Sequence, residues 1–248
     1  MNAGAAIVSV SVVSLLSLLG VALISMKKKT LERIITYTLA FSSGVLLSSA
    51  LLELMPESVA RIGNAAFTWV LVGLVSFFCL EKLIHWHHHV EGDEDEPEKP
   101  FAYLTLIGDG IHNFTDGAVI AAAFMVSFPL GVTTTLAIIA HEIPHELSDF
   151  LILLHGGFTH KRALWFNFLS ATTAIAGTLS VLLVSSRFQT LTDYMVPFAA
   201  GNFLYIASTD LIPELLKKRQ GYTSFLQVLL LVSGAVLLTI LEKWLGSA

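Results

Sequence analysis

Apolar residues run in long stretches along almost the whole chain, at approximately residues 4–26, 34–55, 65–87, 102–127, 130–155, 163–186, 191–216 and 223–242. A helix needs about 20 residues to cross a hydrocarbon core about 30 Å thick. All eight stretches meet that length, so the pattern predicts an all-α integral membrane protein with eight transmembrane helices, one unit spanning residues 1–248. One segment breaks the pattern. His85-Trp86-His87-His88-His89 and the acidic run Gly92-Asp93-Glu94-Asp95-Glu96-Pro97 resist packing, and predict a His-rich, acidic loop at about 85–100 between helices three and four.

Composition supports the membrane reading: 54% of the residues are hydrophobic and 13% charged, against about 25% charged in soluble domains. The net charge of −5 comes from the acidic loop and from carboxylates inside the helices, which argues against a nucleic-acid partner. The single cysteine, Cys79, excludes an intrachain disulfide. No positive charge precedes the first apolar stretch and Lys27-Lys28-Lys29 follow it, the reverse of a cleaved secretory signal. When the loops are assigned alternately to two sides, Lys27, Lys28, Lys29, Arg33, Lys82, Lys99, Lys161, Arg162, Lys217, Lys218 and Arg219 share one side, and Arg61, Arg187 and Lys243 the other. The richer side is expected to be cytoplasmic, so both termini are expected to be non-cytoplasmic. The kind of membrane is left open.

The chain also repeats itself. Phe41-x-x-Gly44 followed by Glu53-Leu54-Met55-Pro56-Glu57 in helix two returns as Phe198-x-x-Gly201 followed by Asp210-Leu211-Ile212-Pro213-Glu214 in helix seven. These two helices run in opposite directions, so the copies are inverted and the expected architecture is a 3+2+3 inverted repeat. Such repeats with Pro-interrupted helices mark secondary transporters, whose substrates bind near the midplane. The alternative is that Gly and acid-Pro pairs simply mark helix ends. Glu53 and Asp210 are expected near the outer and inner ends of the pathway.

Helices four and five, between the repeats, hold what a membrane span ordinarily avoids. Helix four reads Asp109-Gly110-Ile111-His112-Asn113-Phe114-Thr115-Asp116-Gly117, and helix five reads His141-Glu142-Ile143-Pro144-His145-Glu146-Leu147-Ser148-Asp149. Charged groups at the centre of a span cost about 2.5–3.5 kcal/mol each on insertion scales and mark functional sites. Asp109, His112, Asn113 and Asp116 fall within about a 100° arc of one helix, and His141, His145 and Asp149 within about 80° of the next. Two opposed arcs of imidazole and carboxylate can complete a four- or five-ligand site for zinc, iron or manganese, and the lack of thiolates argues against copper(I). The main candidate ligands are His112, Asn113, Asp116, His141, Glu142 and His145. Asp149, Glu146 and Asp109 are weaker candidates, Glu146 as an interhelical partner and Asp109 as an entrance or structural carboxylate. Pro144 frees the carbonyl of Ala140. His155 and His160 are expected at the interface, and His87, His88 and His89 as an accessory, metal-collecting cluster.

His112-Asn113-Phe114-Thr115-Asp116-Gly117 and His141-Glu142-Ile143-Pro144-His145-Glu146 together resemble the paired signatures of the ZIP metal-ion transporters. The fifth-helix His-Glu-x-Pro-His-Glu pattern is similar to the subfamily that includes many zinc importers. The resemblance implies a binuclear-like site and transport of Zn²⁺ toward the cytoplasm by alternating access; the preferred metal is left open, with Mn²⁺, Fe²⁺ and Cd²⁺ as the alternatives. It also implies that His112, Asn113, Asp116, His141, Glu142 and His145 sit at ligand or near-ligand positions. Two departures stand out: Ser148 occupies a position usually held by Gly, and helix six, with Asn167, Ser170, Thr172 and Thr173, lacks the acidic bridging residue of some relatives. The expected partners are the lipid bilayer and divalent metal ions, with a homodimer left open. His141-Glu142-Ile143-Pro144-His145 also fits the His-Glu-x-x-His motif of zinc metalloproteases, and a zinc lipid hydrolase using His112 as third ligand is a second alternative.

Overall fold

Helix is the only regular secondary structure among the described residues of the computed structural model, which are 2–23, 26, 28–86, 100–185, 191–217 and 221–246. Among these residues the helical segments fall into eight rods. The first covers 3–23, with a 3₁₀ turn at Leu16–Leu19, and the second covers 28–62, with a π turn at Ser49–Leu54. The third is Ala65–Trp86, the fourth Pro100–Val126 and the fifth Phe128–His155. The sixth joins His160–Ala171 to Thr173–Ser185, the seventh covers 191–217 with a π turn at Ala207–Leu211, and the eighth is Gly221–Gly246. The loop expected to carry His87, His88 and His89 lies outside the described residues.

Local chemistry sets the rod ends. The fifth rod starts where Ser127 accepts the Leu130 N–H at 3.2 Å, with Pro129 in the first turn, where a missing N–H costs nothing. Thr159 caps the sixth in the same way, accepting from the Arg162 N–H at 3.4 Å. The second rod stops at Gly63, whose φ of 59° reverses the chain. Each π turn comes just before a proline, Pro56 or Pro213. The widened turn gives room for a ring that would otherwise strike the carbonyl four residues back. The helix therefore continues through both prolines, where the sequence alone suggested an interruption.

The distribution of polarity is the reverse of that in a water-soluble bundle. Phe67, Leu71 and Phe78 on the third rod and Phe225, Val228 and Trp244 on the eighth are exposed, while Asp109, Asn113, Asp116, His141, Glu142 and Glu146 are buried. An apolar exterior over this much surface is stable only against lipid. The chain is an all-α, multi-pass integral membrane protein. Arg33–Ile62, Ala65–Lys82, His160–Val184, Thr192–Lys217 and Ser224–Leu245 are each long and apolar enough to cross a membrane, and Ala3–Leu19 is a shorter apolar helix.

Candidate metal centre

The fourth and fifth rods pack side by side and turn their polar arcs toward each other. Four ligand atoms converge between them: His112 Nε2, Asp116 Oδ2, His141 Nε2 and Glu142 Oε1. His112 Nε2 lies 3.3 Å from His141 Nε2, 3.1 Å from Glu142 Oε1 and 3.8 Å from Asp116 Oδ2. His141 Nε2 lies 3.0 Å from Asp116 Oδ2 and 3.4 Å from Glu142 Oε1. Four donors each about 2.0–2.1 Å from one zinc ion at tetrahedral angles are about 3.3 Å apart. These five distances bracket that value.

The proton inventory points the same way. His141 Nδ1 lies 3.1 Å from the Ala137 carbonyl, an acceptor only, so this nitrogen carries the proton. The His141 Nε2 faces the other three atoms, the arrangement in which a backbone carbonyl fixes the tautomer of a metal-binding imidazole. Asp116 Oδ2 and Glu142 Oε2 are buried without a hydrogen-bond donor. Among the described residues, no Lys or Arg is buried. Buried acceptors in such excess need bound protons or a cation to offset their desolvation, and four converging ligand atoms suit a cation.

A second group lies one turn further along the fifth rod. His145 Nδ1 is 3.2 Å from Asp149 Oδ2 and 3.8 Å from Asp109 Oδ1. The His145 ring stacks on His112, with centroids 4.9 Å apart and planes 20° apart, so the two groups touch. His145 is only partly buried. It lines a cavity of about 680 Å³ with Asp109, His112, Asp149 and Asp210, which reaches Glu214 and Lys217 at the end of the seventh rod.

The remaining expected residues take other places. Asn113 donates to the Asp109 carbonyl at 3.2 Å and to its Oδ1 at 2.8 Å, leaving the Asn113 Oδ1 without a donor. Glu146 stands apart from both groups and accepts from Asn167 of the sixth rod at 2.5 Å. Glu53 is buried in the second rod, Asp210 is exposed to the cavity, and His155 and His160 are exposed.

Three hydroxyls hold the site in place: Ser170 and Thr173, noted in the sequence only for not being acidic, and Ser42, which no sequence pattern marked. Ser170 hydrogen-bonds Asp109 Oδ2, and Thr173 donates to the Gly110 carbonyl at 2.5 Å, so the sixth rod grips the fourth through hydroxyls. Ser42 of the second rod donates to the Ala140 carbonyl, the acceptor that Pro144 leaves without its helical N–H. Ser42→Ala should cost about 1–3 kcal/mol, the penalty for a buried acceptor left unpaired. The loss should shrink in a Pro144→Ala background, where the helix can reclaim that carbonyl. A thermal-unfolding double-mutant cycle in detergent measures the coupling.

Buried histidines and carboxylates on facing membrane helices define a class, the helical membrane proteins that handle metal ions. The chain matches the family model described as "ZIP Zinc transporter" over residues 3–102 and 91–242, and it belongs to that family. It is 33% identical over 218 residues to "Zinc transporter ZIP13" of Pongo abelii, covering 82% of this chain and 65% of that protein. It is 31% identical over 243 residues to "Zinc transporter YKE4" of Saccharomyces cerevisiae, covering 85% of this chain and 70% of that protein. With "Zinc transporter ZIP13 homolog" of Drosophila melanogaster the match is 39% over 151 residues, 60% of this chain and 42% of that protein. The chain thus spans between about two fifths and seven tenths of the length of these relatives. Membership is in a family of transporters, and not in the metalloprotease or lipid hydrolase families that the His-Glu-x-x-His spacing left open.

Proposed function

We propose that this protein carries a divalent transition-metal ion, zinc first, across the membrane toward the cytoplasm by alternating access. The observation that carries the proposal is the set of four ligand atoms at tetrahedral spacing, His112, Asp116, His141 and Glu142, with more buried acceptors than donors. Two neutral imidazoles and two carboxylates balance the charge of a divalent ion without thiolates. That donor set favours zinc and also admits iron or manganese, with cadmium as a softer competitor. The ion would pass from these four atoms to His145, Asp109 and Asp149, and from there into the cavity.

Eight spans suit the rods better than five. The fourth and fifth rods fall short of the apolar composition of a simple span because they carry the polar site, which is buried away from lipid. With eight spans, the cavity opens on the face that holds Trp86, Pro100, His155 and Lys217, and the basic residues mark that face as cytoplasmic. Both termini are then non-cytoplasmic.

Packing supports the inverted repeat. A Cβ on Gly44 would strike the Leu231 carbonyl of the eighth rod, and one on Gly234 the Phe41 carbonyl of the second. In the other copy, Gly201 meets the Val70 carbonyl of the third rod, and Gly73 meets the Phe198 carbonyl of the seventh. The two crossings match residue for residue, since Phe41 pairs with Phe198 and Gly44 with Gly201 in the repeat. The His-Glu-x-Pro-His-Glu signature supports assignment to the subfamily of zinc importers. Ser148, where that subfamily usually has Gly, turns its hydroxyl back to the Pro144 carbonyl at 2.8 Å and leaves the site alone.

Vesicles containing only the purified protein should accumulate zinc, with cadmium, iron and manganese competing to different degrees. Glu142→Gln keeps one ligand oxygen and should retain measurable uptake with altered ion preference. A hydrolase would leave the vesicle interior unchanged and lose all activity with its general base.

A further inference from the structure

His112 and His141 both turn Nε2 into the tetrahedral set, but the two rings are held differently. His141 has the Ala137 carbonyl 3.1 Å from its second nitrogen. The polar contacts of His112 among the described residues all run through Nε2, to His141, Glu142 and Asp116. A metal-binding imidazole is ordinarily oriented through its other nitrogen. His112 also forms part of the wall of the cavity of about 680 Å³, where a ring has room to turn.

Other rings surround His112 instead. His145 stacks on it at 4.9 Å between centroids, and His141 and Phe77 meet it at 5.4 Å and 5.9 Å with planes 82° and 72° apart. His141 and His145 are candidate ligands themselves. Phe77 is not, and it comes from the third rod, which contributes no atom to either ligand group. It is buried and lines the cavity beside His112. Steeply inclined rings at this separation attract through their quadrupoles, a preference that an aliphatic side chain of similar size lacks.

Phe77 is itself fixed in place by the seventh rod. Four residues before it, a Cβ on Gly73 would stand 2.1 Å from the Phe198 carbonyl, so the two backbones are in contact there. Four residues after it, Glu81 accepts a hydrogen bond from the Tyr205 hydroxyl. The Tyr205 ring lies 6.3 Å from the Phe77 ring at 59°. Contacts one turn before and one turn after thus set where the Phe77 ring stands.

We infer that Phe77 is a positioning residue for metal binding: its ring keeps the His112 Nε2 turned toward His141, Glu142 and Asp116, the task that the Ala137 carbonyl performs for His141. The inference rests on the reading of those four ligand atoms as the zinc site. Phe77 acts only through His112, so its loss should weaken binding of the ion more than it slows the transport of a bound one.

The test uses the purified full-length protein, with zinc and with cobalt(II) as a coloured stand-in whose visible bands are strong only in a tetrahedral site. Phe77→Leu should weaken zinc binding and raise the KM for zinc uptake into vesicles, each by about tenfold, the low end for a group that orients a metal ligand. The maximal rate should stay within about twofold of wild type, the split expected when only binding is lost. The bands of bound cobalt should weaken as His112 leaves the tetrahedron. Phe77→Tyr keeps the ring and should restore the wild-type values. Phe78→Leu, on the lipid-exposed side of the same rod, is the control and should match wild type.

A merely structural role would lower the unfolding temperature without metal and leave the affinity and the cobalt bands of the folded protein unchanged. Zinc affinity within twofold of wild type in folded Phe77→Leu, or in folded Phe77→Met if the leucine variant does not fold, would overturn the inference. An equal loss of affinity in Phe77→Tyr would do the same. Wild-type protein that binds neither zinc nor cobalt would instead overturn the zinc-site reading beneath it.

Discussion

Replacing His112, Asp116, His141 or His145 singly with alanine should cut zinc uptake at least about a hundredfold, beyond the effect typical of losing only a supporting residue around a metal. His112, Asp116 and His141 belong to the tetrahedral set, and His145 stacks on His112 and leads to the cavity. Once one ligand is gone the ion is no longer held, so the His112→Ala/His141→Ala pair should cost little more than either single change. That non-additivity distinguishes a shared ion from independent polar contacts. Stability should move the other way. Without metal, Asp116→Ala and His145→Ala each remove a side-chain atom that lacks a hydrogen-bond partner, and these two should unfold at the wild-type temperature or above. The stabilisation that zinc gives the wild type should vanish. Proteoliposome uptake and thermal unfolding with and without zinc measure both. Wild-type uptake in His112→Ala and His145→Ala would show that the site has been misplaced.

Gly117→Leu should leave almost no folded protein, because a Cβ at this position would stand 1.8 Å from the Ala174 carbonyl. A neighbouring backbone cannot shift as a flexible side chain can, so the fourth and sixth rods would have to separate. The same crossing repeats at Gly177, where a Cβ would meet the Phe114 carbonyl at 1.9 Å. Van der Waals packing of small residues is the main attraction between helices in lipid, where the hydrophobic effect does not drive association. Separation would also pull Ser170 from Asp109 and Thr173 from Gly110, loosening the helix that bears His112 and Asp116. Gly4→Ala, with nothing within 4 Å of the added carbon, is the control and should behave as wild type. Monodispersity on size exclusion separates the two, and a Gly117→Leu protein that elutes normally would contradict the packing described here.

Some of the site was legible before any coordinates. His112 with Asp116 and His141 with His145 lie four apart in helices that should hold no such residues, so facing arcs of ligands followed from periodicity and the cost of polar groups in lipid. The division within the set was not legible. His145 shares an arc with His141, yet its ring stacks on His112 and its Nδ1 lies nearest Asp149 and Asp109. Glu146 was expected to be an interhelical partner, and its contact is Asn167, an amide that the sequence reading had noted only because it was not an acid.

The sequence by itself determined that the chain is helical and membrane-embedded, where its polar residues concentrate, and that two segments repeat. Those properties depend on short-range patterns: runs of apolar residues, spacings of three and four, and a motif that recurs intact. Only the tertiary structure decided which donors share a point in space, that a π turn carries each repeat through its proline, and that Ser42, Thr133 and Ser170 serve distant helices. Ser and Thr are ordinary in membrane helices and can bond within their own turn. Their longer-range partners here lie 98, 80 and 61 residues away, and no local pattern encodes such a pairing. The crossing of packed rods sets it, and between the fourth and sixth rods Gly117 and Gly177 let the two backbones come close enough for Ser170 to reach Asp109.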